Sequence, residues 1–248
     1  MSMISDMPIF FQYEPYCVIL QLWHTGLPTI KHPTLYLIKT NFLFKLIYPG
    51  RIWRLPPTTA TGGEKALYLT FDDGPHPEAT VFALETLKAF NAKATFFCLG
   101  KNVKAYKDIY QQILNEGHSV GNHTYNHLNG WKTKISDYVA DIKLARALID
   151  SPLLRPPYGR MSKRQQTALQ QVLPDTRIVM WDLLSGDFDI NITPEKCWRN
   201  VKNNSKPGSI IVFHDSAKAY ERMRFALPAT LEYFAAAGYV FKAIPMDK

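Results

Sequence analysis

Five groups of residues in this chain could do chemistry. Asp72 and Asp73 are adjacent carboxylates, His123 and His127 lie four residues apart, Arg155 stands alone among prolines, and Asp187 and His214 follow later. Two imidazoles and one carboxylate can hold a divalent metal and leave positions open for water and substrate. The zinc motif with two histidines at this spacing carries Glu directly after the first; here Thr124 occupies that place, so any base must come from elsewhere. Two neighbouring carboxylates repel, so a cation or a metal is expected beside them, although Asp-Asp-Gly-Pro is also good turn chemistry.

A competing reading uses Gly117-His118-Ser119-Val120-Gly121, which fits the G-x-S-x-G nucleophile pattern, with Ser119, Asp187 and His214 in hydrolase chain order. That pattern needs a strand before the serine and a helix after it. Here a helix is expected before Ser119 and a strand after it. A two-His, one-carboxylate iron oxygenase is a further alternative, and a binding module that kept the fold and lost catalysis is another. His76 and His118 are expected to be structural.

The elements that position these groups alternate. Ala66–Thr70 reads as a buried strand, Pro77–Phe90 as a helix with Ala83, Leu84, Leu87 and Phe90 on one face, and Ala94–Leu99 as a second strand. Helices are expected over Val103–Asn115, Ile135–Ile149 and Ala226–Ala237. Strands are expected at Ser119–Asn122, Ile178–Trp181 and Ile210–Phe213. Repeated β-α units imply a mainly parallel sheet, open or closed into a barrel, and in such folds chemistry gathers beyond the strand C-termini. Asp72-Asp73, the His123–His127 segment, Arg155, Asp182 with Asp187, and His214-Asp215 all follow apolar strands.

Thr70-Phe71-Asp72-Asp73-Gly74-Pro75, His123-Thr124-Tyr125-Asn126-His127, Arg155-Pro156-Pro157-Tyr158-Gly159, Trp181 to Asp187, and Val212-Phe213-His214 occur in that order. The ordered set resembles the five motifs of the polysaccharide deacetylase family, also called the NodB homology domain or carbohydrate esterase family 4. The resemblance implies an α/β fold, a distorted (β/α) barrel, over residues 64–248. It also implies metal-dependent removal of N-acetyl groups from amino-sugar polymers such as peptidoglycan or chitin-like glycans, with release of acetate. By the same resemblance Asp73, His123 and His127 are metal ligands, zinc being the default ion. Asp72 is the base that takes a proton from the attacking water, and Arg155 pairs with it. The Tyr158 N–H is an oxyanion donor. His214 is the general acid, oriented by Asp187. This agrees with what amide hydrolysis requires: a strong nucleophile, a stabilised oxyanion and a protonated leaving amine. Trp131, Tyr158 and Trp181 are candidate sugar-stacking aromatics, and Val212 lines the expected acetyl pocket. Two positions depart from the family pattern. Phe188 follows Asp187 where Trp is common, and Val212 replaces Leu, so a smaller aromatic wall and a slightly altered acetyl pocket are expected.

The chain has 248 residues, 46% hydrophobic and 20% charged, which fits one large domain and excludes a disordered scaffold. No apolar run reaches the ~18 residues of a membrane-spanning helix. The formal net charge is +8, which suits a basic surface or an anionic partner, but no basic cluster of the nucleic-acid kind occurs. Cys17, Cys98 and Cys197 are too few and too scattered for a disulfide framework or a thiolate zinc site. Residues 1–33 read as a proline-broken extension, and without Lys or Arg among the first thirty residues no secretory leader is expected. Residues 34–63 read as an apolar and basic lead-in packing on the barrel. Within it, residues 35–54 offer an alternative as a peripheral membrane or envelope contact through Lys39, Lys45, Arg51 and Arg54. The family resemblance points to the cell envelope as the site of action.

Overall fold

The β-α alternation builds one curled parallel sheet. The computed structural model describes residues 36–55, 57 and 63–247; the extension 1–33 lies outside the described residues. Eight strands are β1 Ala66–Asp72, β2 Thr95–Cys98, β3 Ser119–Asn122, β4 Leu153–Leu154, β5 Arg177–Ile178, β6 Leu183–Leu184, β7 Ile210–His214 and β8 Val240–Phe241. Their order is β5-β4-β3-β2-β1-β7-β6, with β8 beside the start of β1, and the paired strands run parallel. All C-terminal ends therefore face one way, and that is the end from which the chemical residues project.

The sheet is apolar on both faces. Side chains alternate along a strand, and in β1 Leu67, Leu69 and Phe71 join a core with Leu84, Leu87, Leu227 and Leu231 of the covering helices. Ala66 and Tyr68 face the other way, onto Val179, Ile210 and Ile244. Phe71 lies in register with Phe96 and Phe213, and the rings stack at 4.8 and 6.0 Å. Each such buried side chain contributes about 1.5–3 kcal/mol by removal from water. Asp72 shares its parity with Tyr68 and Thr70, so β1 turns it toward the barrel interior.

The helices are α1 Phe42–Ile47, α2 Ala79–Ala89, α3 Gly100–Ala105, α4 Lys107–Asn115, α5 Ile135–Arg146, α6 Lys163–Val172, α7 Pro194–Asn204 and α8 Tyr220–Ala236. The single helix expected over Val103–Asn115 is two, broken at Tyr106, whose φ and ψ of −125° and 56° are not helical. Two helices escaped the periodicity reading because their faces are mostly polar. Both carried terminal signals: Ser162 and Gln165 form a reciprocal capping box before α6, and Thr193 caps α7 with Pro194 in its first turn. α8 begins six residues earlier than expected, because Met223, Ala226 and Leu227 before Pro228 pack into the core as do Leu231 and Phe234 after it.

From Leu37 the chain forms one compact unit. Its first residues lie along the two ends of the sheet path. Lys39 bridges Leu183 beside β6, and Ile52 bridges Val179 just after β5. Asp182 collects the cations of this stretch: Lys39 Nζ is 2.6 Å from its carboxylate, Lys45 3.6 Å and Arg54 4.0 Å. Leu37, Phe42, Leu43 and Leu46 remain exposed.

Candidate active site

β1 delivers Asp72 and Asp73 at its C-terminal end. The chain turns sharply after the strand, Asp73 taking φ 82°. A side chain in the left-handed region is strained, and such strain persists only where surrounding contacts over-determine it. Here Asn102 Nδ2 donates to the Asp73 carbonyl at 2.7 Å. The next residue must be Gly, because a Cβ on Gly74 would lie 2.0 Å from Asp215 Oδ2. Asp215 accepts from the Gly74 N–H at 3.0 Å and from Thr80 Oγ1 at 2.5 Å. Its burial, with the neighbouring Asp73 and Asp72 charges adding to it, pushes its carboxyl up to about 8. Asp215 follows an apolar strand in the sequence, but nothing in its sequence neighbours marks this task.

β3 delivers His123 directly and His127 one turn later. Thr124 and His127 have φ of 67° and 61°. Asp141 of α5 secures this turn by accepting from the Tyr125 and Asn126 N–H groups at 2.8 and 3.0 Å and from Asn126 Nδ2 at 2.6 Å. No sequence signal marks Asp141, since an acid in an amphipathic helix reads as solvent-facing.

Asp73, His123 and His127 come together, with ligand atoms all within 4.8 Å of one another. Asp73 Oδ1 lies 3.1 Å from His127 Nε2 and 3.6 Å from His123 Nε2. This oxygen is buried and takes no hydrogen bond, which is costly unless something positive completes it. His123 Nδ1 faces the Arg155 carbonyl at 2.8 Å; donation there fixes the tautomer and leaves Nε2 as the ligating nitrogen. Burial lowers His123 to about 4, so it is neutral at pH 7 and open to a metal. Burial works against the Asp73 anion, but the imidazoles of His127, His214 and His123 around it hold the carboxyl well below the usual range. A divalent metal fits these three residues.

Arg155 leaves β4 wholly buried. It lies 4.0 Å over the Phe97 ring and donates to Asp72 Oδ1 and Thr70 Oγ1, both at 2.7 Å, and to the Val179 and Met180 carbonyls at 3.3 and 3.0 Å. Burial pulls its pKa down and Asp72 opposes that pull. At the end of β7 His214 donates its backbone N–H to Asp187 Oδ2 at 2.7 Å, and its Nδ1 faces Asp187 Oδ1 at 2.8 Å, Asp187 lying in the loop after β6. Arg222 Nε anchors the Asp187 carbonyl. Burial disfavours the His214 cation, but the charge and hydrogen bond of Asp187 outweigh it and raise the group to about 9.

The aromatic candidates separate. Tyr158 is exposed, at φ 59°, with its ring 4.7 Å from that of His127, and its N–H has no acceptor among the described residues. Trp131 stands at the surface under the Arg160 guanidinium. Trp181 packs against the inner core and under the turn at Gly159, where a Cβ would meet its ring at 2.7 Å. Val212 is buried in β7, two residues before His214 and on its face. Phe188 meets the His214 ring edge-on at 5.3 Å.

Other polar residues lie elsewhere. Ser119 opens β3, with β2 and β1 between it and the β7 that carries His214, and its hydroxyl donates to the Ile244 carbonyl at 2.8 Å. That overturns the serine-hydrolase alternative: the three residues never meet. Asp182 is drawn to Lys39 rather than to the site. His76 Nδ1 accepts the Ala79 N–H at 3.2 Å, at the start of α2, and His118 Nδ1 accepts the Ala94 N–H at 3.2 Å.

Comparison with known proteins agrees with this arrangement. The family model described as polysaccharide deacetylase matches residues 59–173. A peptidoglycan-N-acetylglucosamine deacetylase of Bacillus cereus is 32% identical over 197 residues, 77% of this chain and 90% of that protein. The chain belongs to the polysaccharide deacetylase family. Another B. cereus peptidoglycan-N-acetylglucosamine deacetylase is 37% identical over 155 residues, which cover 60% of this chain and 55% of that protein. The chain thus spans about half the length of that relative. The crystal structure of the Bc1960 peptidoglycan N-acetylglucosamine deacetylase, in complex with an N-hydroxybenzamide, superposes with a TM-score of 0.71 at 29% identity, over 82% of this chain and 94% of that one. The expected family and the expected distorted barrel are both borne out. Among the described residues β5 and β6, the two ends of the sheet path, do not pair with each other.

Proposed function

We propose that this chain is a divalent-metal-dependent deacetylase. It hydrolyses N-acetyl groups of N-acetylglucosamine-containing envelope glycans, peptidoglycan first among them, and releases acetate and a free amine. One observation carries the reading: a metal-competent trio, a carboxylate locked to a buried arginine and a histidine raised by a carboxylate gather at one end of one sheet. An inactive glycan binder would need neither the second nor the third.

Asp73, His123 and His127 would hold the ion, with zinc suited to this donor set. When bound, it would supply Lewis-acid polarisation of the acetyl carbonyl and acidify water. Asp72, held in place by the Arg155 guanidinium, accepts the proton of the attacking water. The Tyr158 N–H receives the developing oxyanion. His214, protonated through Asp187, gives its proton to the departing amine. Val212 lines the floor for the acetyl methyl, while Tyr158, Trp131 and the edge of Trp181 face the sugars. Similarity to the B. cereus peptidoglycan-N-acetylglucosamine deacetylases supports peptidoglycan as the substrate and the envelope as the place of action.

Peripheral contact through residues 35–54 has the exposed Leu37, Phe42, Leu43 and Leu46 in its support. The attachment of Lys39, Lys45 and Arg54 to Asp182 removes much of its electrostatic part.

The test is acetate release from a panel of acetylated glycans, with and without a chelator and with zinc added back. Chelator-sensitive release from N-acetylglucosamine polymers is expected. Full activity after exhaustive chelation would overturn the metal mechanism.

A further inference from the structure

Two segments beside the trio carry an excess of one charge. Between His127 and Ser136, and again between Ser151 and Pro174, the chain contains Lys and Arg but no Asp or Glu. The fold brings these two segments together. Gln165 Nε2 donates to the Gly130 and Thr133 carbonyls at 2.7 and 3.2 Å. The approach is so close that a Cβ on Gly130 would lie 2.2 Å from the Arg160 carbonyl. The juxtaposition sets the segment that carries Lys132 and Lys134 against the one that carries Arg160.

Arg160 is the member nearest the chemistry. Its guanidinium lies 4.9 Å from the Trp131 ring centre and 5.8 Å from that of Tyr158. Tyr158 in turn touches His127 of the metal-competent trio. Cation–π contact with two rings restrains the guanidinium, which lowers the entropy lost on binding. Among the described residues no carboxylate pairs with Arg160, Lys132 or Lys134. Cations on adjoining segments without a counter-charge set up a positive local field, which an anion on the ligand would neutralise. The contrast with Lys39, Lys45 and Arg54, all drawn to Asp182, shows what a neutralised basic group looks like in this protein.

We propose that Arg160, supported by Lys132 and Lys134 and stacked on Trp131 and Tyr158, binds an anionic substituent, a carboxylate or a phosphate, on the sugar next to the one being deacetylated, a reading that rests on the deacetylase function above. Arg recognises either oxyanion with two parallel hydrogen bonds, while the aromatic pair takes the apolar face of the sugar that carries it. The substrate class is then an acidic glycan rather than a neutral chitin-like one.

The experiment uses the full-length, zinc-loaded protein and three matched oligomers. These are a neutral N-acetylglucosamine tetramer, the same backbone with carboxylate-bearing ether groups on alternate sugars, and a 6-phosphorylated version. Binding is measured by calorimetry and acetate release separately. The wild type should bind an anionic oligomer roughly 10-fold or more tighter than the neutral one, as a charged hydrogen-bonded contact implies. The gap should shrink as salt is raised. Arg160→Gln should collapse the preference, Arg160→Lys should retain part of it, and both should melt with the wild type because the side chain is at the surface. Which of the two anionic oligomers binds tighter identifies the group recognised. Equal binding of all three oligomers by the wild type, or an unchanged preference in Arg160→Gln, overturns the proposal. Anion preference without acetate release from any oligomer would instead overturn the deacetylase reading and leave the anion site standing.

Discussion

The Asp72 carboxylate and the Arg155 guanidinium meet at 2.7 Å, and both side chains are almost wholly removed from water. A buried ion pair offers little net stability over an apolar core, but losing one partner strands the other. Arg155 is further tied to Thr70, Val179 and Met180, so it joins β1, β4 and the segment after β5 around the carboxylate. Arg155→Ala should therefore destabilise the fold by about 3–5 kcal/mol, measured by denaturant unfolding. Asp72→Asn should stop turnover while metal binding persists, since Asp72 is not among the proposed ligands. Loss of metal in Asp72→Asn would recast it as a ligand.

Removing the metal should leave the barrel folded. Asp73, His123 and His127 project from strand ends and turns, and the apolar cores on either face of the sheet contain none of them. Chelated protein is expected to keep its circular dichroism spectrum and a cooperative melt, and to regain acetate release on addition of zinc. Asp73→Ala, His123→Ala and His127→Ala should each abolish stoichiometric zinc binding.

The pH profile should report His214. Its raised value of about 9, against an ordinary histidine near 6.5, means that the proton needed for the leaving amine is held at neutral pH and lost as pH rises. A nearby divalent cation pulls this value down, so the alkaline limb of kcat should fall at or below about pH 9. The linked stability has the same sign: it is fully present below about 6.5 and is lost as pH rises through about 9. Asp187→Asn removes the charge that raises the imidazole and should move the alkaline limb to lower pH. An unmoved limb in that variant would detach the limb from His214. His214→Ala should cost on the order of 10²–10⁴-fold in rate on amides and less on acetyl esters, whose alcohol leaves more readily than an amine.

Ser119→Ala should retain most activity. The hydroxyl is spent on the Ile244 carbonyl at the far end of β3, so its loss should cost about 0.5–1.5 kcal/mol of stability and leave kcat close to the wild type. A loss of turnover as large as that of Asp73→Ala would revive serine chemistry.

Much of this protein is determined by local sequence. Strands such as Ala66–Asp72 and Ile210–His214 are short apolar runs that can only be buried, and their alternation with helices dictates a parallel sheet. That sheet places whatever follows each strand at one end, which is why Asp72, His123, Arg155 and His214 could be named as one group from their order along the chain. Tertiary structure alone decided the rest, because the deciding contacts join residues far apart in sequence. Ser119 and Asp182 have the right types and the right chain positions for chemistry, but strand order leaves two strands between Ser119 and His214, and three distant cations claim Asp182. Asp141 and Asp215 read as ordinary polar residues until packing turns the first onto the Tyr125 and Asn126 amides and the second onto Gly74. The same holds for the basic face. Lys132 and Arg160 are unremarkable in sequence, and only the crossing of their two segments, fixed by Gln165 and by the missing side chain of Gly130, gathers their charge without a carboxylate to neutralise it.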